Sequence, residues 1–174
     1  MNYLKGFLDK NSDQTIFEDY LSKNYRVICL DSSNEKYQNG YISEESCELL
    51  RQALRRKTGL PTFLITHHHL LDKQFKMPKA IYPEKFEDII RNSEISGIFN
   101  GHTHHLYQGE FAGIPYYTCG SLSFVAELNN EILDFYQHPS AYIFNYDNKD
   151  LKFRIVENDS KRYLGSIANS DLYK

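Results

Sequence analysis

The sequence predicts an α/β fold, α+β in its overall balance, and three observations carry that reading. Short apolar runs alternate with amphipathic stretches as far as residue 105, as in a sheet crossed by helices. Beyond residue 106 the alternation gives way to short β-like pieces separated by turn dipeptides. Six of the seven histidines stand where two of the apolar runs end.

The elements follow in order. Residues 13–22 are expected to be helical, because Ile16, Phe17, Tyr20 and Leu21 share one helical face and Ser12 or Asp13 can cap it. Residues 25–31, YRVICLD, read as a buried strand. Asn39-Gly40 marks a turn, after which Ser43 caps a second helix, with Glu44 and Glu45 at its positive end. That helix is expected to bury Cys47, Leu50, Ala53 and Leu54 and to stop at Gly59 and Pro61. Thr62–Thr66 is the next strand, leading into His67-His68-His69. A loop of about a dozen residues precedes a helix begun by Pro83, with Phe86, Ile89 and Ile90 inward. Ile95–Phe99 is a third strand, ending at Asn100-Gly101-His102-Thr103-His104-His105. Leu106–Phe111, Ile114–Cys119, Ala141–Tyr146 and Leu151–Val156 then suggest an antiparallel layer over the sheet. Residues 1–160 are read as one domain and 161–174 as a polar, loosely held tail.

Bulk composition narrows the function classes. The chain has 174 residues and a formal net charge of −3, so no overall basic field exists to grip nucleic acid. Arg51, Arg55, Arg56 and Lys57 form one helix-end cluster that suits the helix's negative end. Cys29, Cys47 and Cys119 are odd in number, with no CxxC pair. A reducing, cytoplasmic setting is therefore expected. No stretch has signal-peptide or transmembrane length, so no membrane partner is expected.

The histidines carry the chemistry. His67 and His102 are 35 positions apart, one strand–helix–strand unit, which can set their strand ends side by side. Imidazole nitrogen suits zinc, iron and manganese-type ions. Along an extended loop His102 and His104 point differently, so each can reach a different ion, and Gly101 is expected to permit the tight turn before them. The plain alternative, a solvated loop histidine, suits His138 in Gln137-His138-Pro139. It suits six histidines at two strand ends poorly. His69 and His105 are the weakest members of the set.

Thr62–His69 followed by IFNGHTHHLYQGEFAGIPYYTCGSL resembles the last two blocks of the calcineurin-like metallophosphoesterases. YRVICLDS and GYISEESCELLRQAL look like the middle of that family, nearest its cyclic-nucleotide and glycerophosphodiester phosphodiesterase branch. His69 stands where a proline is usual. The resemblance implies a partial four-layer αββα sandwich, of which this chain supplies the C-terminal half. It implies His67 and His102 as ligands of one metal, manganese, iron or zinc, and His104 as a ligand of a second. His68, His105 and Asn100 are candidates to support those ligands from behind. The implied chemistry is hydrolysis of a small-molecule phosphoester by metal-activated water.

The family's first-half motifs are not present. No histidine precedes His67, none of the nine glycines is followed by Asp or Asn, and no Asn precedes a His. At most one ion is therefore expected, no catalytic residue is assigned, and Asp31 is read as capping a turn rather than as a ligand. The expectation is a truncated or split hydrolase whose N-terminal half is its partner, with YRVICLD left as an uncovered sheet edge. The alternative is a non-catalytic metal-binding or partner module with a histidine-only site. Leu70–Tyr82 and Phe124–Pro139 are expected to be the loops that choose the substrate.

Overall fold

The computed structural model describes residues 17–168 and 170, apart from 73, 76 and 148. Its frame is a six-stranded sheet built from β1 (Phe17–Leu21), β2 (Arg26–Leu30), β3 (Thr62–Ile65), β4 (Ile95–Asn100), β5 (Tyr107–Phe111) and β6 (Ile114–Thr118). Their order across the sheet is β1-β2-β3-β4-β6-β5. β2, β3, β4 and β6 run parallel, while β1 and β5 close the two sides antiparallel. α1 (Glu44–Arg55) connects β2 to β3, and α2 (Glu84–Arg91) connects β3 to β4.

Alternation along the strands explains the layers. Ile28, Leu30, Leu64 and Ile98 face the helices and are fully or almost fully buried with Cys47, Leu50, Phe86 and Ile90. The opposite face carries Phe63, Phe99 and Tyr117. These pack on Phe144 and Tyr146 of a hairpin made of β9 (Ser140–Asp147) and β10 (Asp150–Glu157). A third sheet, order β11-β8-β7, comprises β7 (Val125–Asn129), β8 (Ile132–Gln137) and β11 (Arg162–Ala168). The chain is thus a partial αββα sandwich, a helical layer on a sheet with a second β layer beneath. Among the described residues there is no outer helical layer.

Several sequence expectations change here. Residues 17–21 form a strand, and the portion 13–16 of the expected helix lies outside the described residues. Pairing decides it: β1 takes up the free edge of β2 residue for residue, from Phe17 with Leu30 to Leu21 with Arg26. Asp19 faces Arg26 and Tyr20 faces solvent. The β2 edge is therefore covered, and β1 is the outermost strand of the sheet among the described residues. α1 ends at Arg55, before Gly59, because the Arg26 guanidinium takes its terminal carbonyls. Nη2 donates to Ala53 O at 2.7 Å and Nη1 to Arg56 O at 3.0 Å. Ser43 caps the helix as expected, its Oγ accepting from Ser46 N at 3.0 Å.

Phe124–Pro139 is mostly the hairpin β7–β8 rather than a loop. Its turn residues Asn130 and Glu131 both have positive φ (45° and 70°), as a two-residue type I′ connection requires. The supposed tail contributes β11, paired with β8 through a bulge at Tyr163 and Gly165. No helix among the described residues is long and apolar enough to cross a membrane.

Candidate metal centre

Two loops leave the same edge of the sheet, one after β3 and one after β4, and backbone bonds tie them together. Thr66 N donates to Phe99 O at 3.0 Å, and Gly101 N donates to His67 O at 2.9 Å. Thr103 N returns to Gly101 O and Cys119 N reaches Asn100 O at 2.7 Å, so the β4 loop is held from both sides. The turn itself is made by the histidines. His102 and His104 adopt left-handed φ of 70° and 62°, while Gly101 does not. That corrects the expected role of Gly101. Two non-glycine residues in this region mark a loop whose shape is imposed by its surroundings.

The result is a cluster of rings. His67, His68 and His102 each offer a ligand nitrogen, and the three nitrogens all lie within 4.8 Å of one another. Ring centroids are 4.8 Å apart for His67–His68, 5.3 Å for His67–His102 and 4.5 Å for His68–His102. His102 Nε2 is buried and has no hydrogen-bond partner. A bare buried imidazole nitrogen is costly unless something fills its lone pair or takes its proton.

The rings are also kept neutral. Burial pulls the pKa of His68 down to about 4, and the charges that His67 and His69 would carry push the same way. His102 is likewise lowered to about 4, first by burial and then by the surrounding histidines. His67 is lowered by burial and by His104. A neutral imidazole offers a lone pair, which is what a cation needs. Three neutral nitrogens, one orphaned, fit a single divalent ion. These three rings would hold such an ion through their neutral nitrogens.

His68, expected only to support the ligands, is one of the three converging rings. Its placement depends on two residues of the β2–α1 connection. Ser32 Oγ accepts from His68 N at 3.1 Å and stands 2.9 Å from Nδ1. If Nδ1–H also donates to Ser32, Nε2 keeps its lone pair for a ligand role. Gly40, with φ +88°, leaves the space the ring occupies, since a Cβ there would stand 2.4 Å from His68 Cγ. The Asn39-Gly40 turn was legible in the sequence, but its part in seating His68 was not. Gly40→Ala is expected to destabilise the fold by about 1 kcal/mol or more from the backbone strain alone. It is also expected to push His68 out of the cluster. Chemical denaturation together with zinc titration checks both, and an unchanged affinity would show that the ring does not depend on this gap.

His104 stands apart from the three. Its Nδ1–H donates to Phe124 O at 3.0 Å and its ring packs edge-on against Phe124, which leaves Nε2 with the lone pair. His105 is turned away, donating from Nε2 to Ala126 O at 2.8 Å and stacking on Phe75 at 4.1 Å. His69 is fully buried. It lies 3.2 Å from Met77 O through Nε2 and stacks parallel to His102 at 5.9 Å. Asp31 caps a turn, accepting from Ser33 N and Oγ at 2.8 and 2.7 Å. Among the described residues no carboxylate belongs to the cluster.

Asn100 belongs to a buried polar network beneath the loops. The Thr118 hydroxyl lies 2.7 Å from Asn100 Oδ1 and 2.7 Å from Gln74 Oε1. Gln74 Nε2 donates to the Tyr116 hydroxyl at 3.3 Å, which also accepts from Leu70 N at 2.8 Å. The network thereby pins the loop after His69 to β6. Tyr116→Phe leaves the buried Leu70 N–H without an acceptor and is expected to cost about 1–3 kcal/mol. Thermal unfolding measures it, and a loss near zero would mean that water replaces the hydroxyl.

The sheet with histidines at the ends of β3 and β4 resembles the fold of the calcineurin-like metallophosphoesterases. Over 124 residues, 70% of this chain and 41% of the relative, it is 28% identical to a probable cyclic nucleotide phosphodiesterase of Rhodococcus erythropolis. In structure it is similar to GAP50, the anchor in the inner membrane complex of Plasmodium, with a TM-score of 0.54 and 14% identity. That match covers 89% of this chain and 53% of GAP50. A putative 5′-nucleotidase from Staphylococcus aureus aligns at a TM-score of 0.37 and 10% identity, over 87% of this chain and 29% of its own, too loosely to carry weight. No family model matches. The chain therefore spans about half or less of the length of these relatives, and likeness of fold alone does not transfer an activity.

Proposed function

We propose that the chain is the histidine-bearing part of a metal-dependent phosphoesterase and holds one divalent cation, manganese, iron or zinc, on His67, His68 and His102. The observation that carries this reading is the convergence of three neutral ring nitrogens within 4.8 Å, one of them buried and unpartnered. A bound ion of this kind polarises a phosphoryl oxygen and lowers the pKa of a water. His104, its Nδ1–H fixed by Phe124 O, is placed in this reading to offer Nε2 to a second ion.

A small-molecule phosphoester is the substrate class in this reading, supported by the relative's name. The described cluster contains no carboxylate, so three imidazoles leave the charge of two adjacent dications uncompensated. The chain by itself is accordingly proposed to bind one ion and to lack efficient turnover until a further polypeptide supplies carboxylates. The same observation favours one competing reading, a histidine-only binding module with no catalytic role.

Isothermal titration with zinc and with manganese, combined with hydrolysis of bis-p-nitrophenyl phosphate, separates these readings. The expected result is one tightly bound ion and negligible turnover alone, with turnover appearing when a complementary polypeptide is added. Binding without turnover in any combination would leave the module reading. No binding at all would remove both.

A further inference from the structure

The left-handed backbone of the β4 loop is held from outside the loop, and a third strained residue stands beside it. Phe75, in the loop after β3, has φ +47°. A bulky aromatic residue rarely adopts that region, because its Cβ crowds the neighbouring carbonyl. Phe75 belongs to a tight turn that Met77 N closes by donating to Gln74 O at 2.9 Å. Glycine or asparagine would serve a positive φ in such a turn at lower cost. An aromatic ring at this place points to a contact that offsets the strain.

The contact is with a histidine of the other loop. The Phe75 ring stacks on His105, with centroids 4.1 Å apart and planes 23° from parallel. Both ends of the turn are fastened behind that stack. Gln74 is only 3% exposed, its amide held between the hydroxyls of Tyr116 and Thr118. Met77 O accepts from His69 Nε2 at 3.2 Å. The edge of the His105 imidazole is fixed as well, since Nε2–H donates to Ala126 O of β7 at 2.8 Å. His105 is thus gripped on one face and at one edge by two elements outside its own loop. At the other end of that loop Gly101 N donates to His67 O. Gly101 and His105 therefore bracket the three residues that include both left-handed histidines, His102 and His104.

We propose that Phe75 is a positioning residue for the candidate metal centre, its stacked ring clamping His105 and so holding His102 and His104 in the left-handed backbone that presents their nitrogens. The clamp gives His105, which is not one of the three converging rings, a part in the site. It also accounts for an aromatic residue at a strained φ, because stacking offsets what the backbone costs. The proposal rests on the metal reading above only for its effect on affinity. The clamp itself belongs to the chain without an ion.

Three variants of this position test it in the full chain. Phe75→Ala and Phe75→Gly remove the ring, whereas Phe75→Tyr keeps it. Residues that orient metal ligands are worth about 10–100-fold in affinity, so zinc binding measured by calorimetry is expected to weaken about tenfold in the first two. Phe75→Tyr is expected to bind zinc like wild type. Phe75→Gly is expected to unfold at a higher temperature than Phe75→Ala, because glycine accepts a positive φ and alanine does not. A general loss of stability would make zinc affinity follow that order, whereas a clamp leaves both variants equally weak. In NMR spectra recorded without metal, the stacked ring is expected to shift the His105 ring protons upfield in wild type and Phe75→Tyr and not in the other two. Wild-type zinc affinity in Phe75→Ala overturns the proposal, as does affinity that tracks stability, or a loss in Phe75→Tyr as large as in Phe75→Ala. A wild type that binds no zinc overturns the metal reading instead. The clamp is then decided by the His105 signals alone, and signals unchanged between wild type and Phe75→Ala overturn it.

Discussion

His68→Ala is expected to lower zinc affinity about 100-fold or more, as much as His67→Ala or His102→Ala, while His104→Ala changes the first ion's affinity only a few-fold. Even partners behind a ligand are worth about 10–100-fold in metal affinity, so losing one of only three nitrogens costs at least the upper end of that range. The pattern across the four histidines matters more than any single value. The family resemblance pairs His67 with His102 and assigns His104 to a second ion; the geometry adds His68 to the first pair and leaves His104 hydrogen-bonded to Phe124 O. Titration of the four alanine variants by calorimetry decides between the two ligand sets. If His68→Ala binds like wild type, His68 is a buried neighbour held by Ser32 and the three-ring site is wrong. A large loss in His104→Ala would say that the β4 loop turns toward the ion on binding.

Much of this architecture was legible in the residues, and the failures share a cause. Strand ends β3 and β4 were readable because apolar runs stop abruptly at histidines, and a parallel unit brings consecutive strand ends to one edge. α1 was readable from Ser43 and the two glutamates that follow it. Residues 17–21 were misread because Phe17, Tyr20 and Leu21 satisfy a helical period as well as a strand. Only a tertiary fact, the empty edge of β2, chooses between them. The same holds for β8 and β11. Their side chains are largely exposed or half-buried, so no hydrophobic period announces them. The place of His68 beside His67 and His102 was not legible for a related reason: it depends on Gly40 and Ser32, which are distant in sequence and come close to the ring only in the folded chain.

Arg26→Ala is expected to destabilise the fold by about 3–5 kcal/mol, since it empties a buried position and takes the donor from a part-buried carboxylate and from two helix-end carbonyls together. At this chain length that is a fall in Tm of roughly 6–20 °C. Arg26 is only 2% exposed and spends its guanidinium on four acceptors. Nε and Nη2 donate to the two oxygens of Asp19 at 2.8 and 2.7 Å, and Nη1 and Nη2 reach the last carbonyls of α1. One side chain thus joins β1, β2 and α1, and β1 is the strand that covers the β2 edge. Arg56, 3.0 Å from Asp19 but largely exposed, compensates only in part. The Arg26 hydrogen bond holds the Asp19 carboxyl below its usual 3.8 against the opposing effect of burial. A carboxyl with a depressed folded pKa adds stability above its unfolded value and loses it as pH falls through the folded one. Wild type is therefore expected to lose this contribution below about pH 3.8, and Asp19→Asn to lack that acid limb at any pH. In the double variant Arg26→Ala/Asp19→Asn the stranded charge is gone, so its loss is expected to be smaller than the sum of the two single losses. Additive losses in thermal unfolding would mean that the carboxylate and guanidinium act independently, and that α1 rather than β1 is what Arg26 secures.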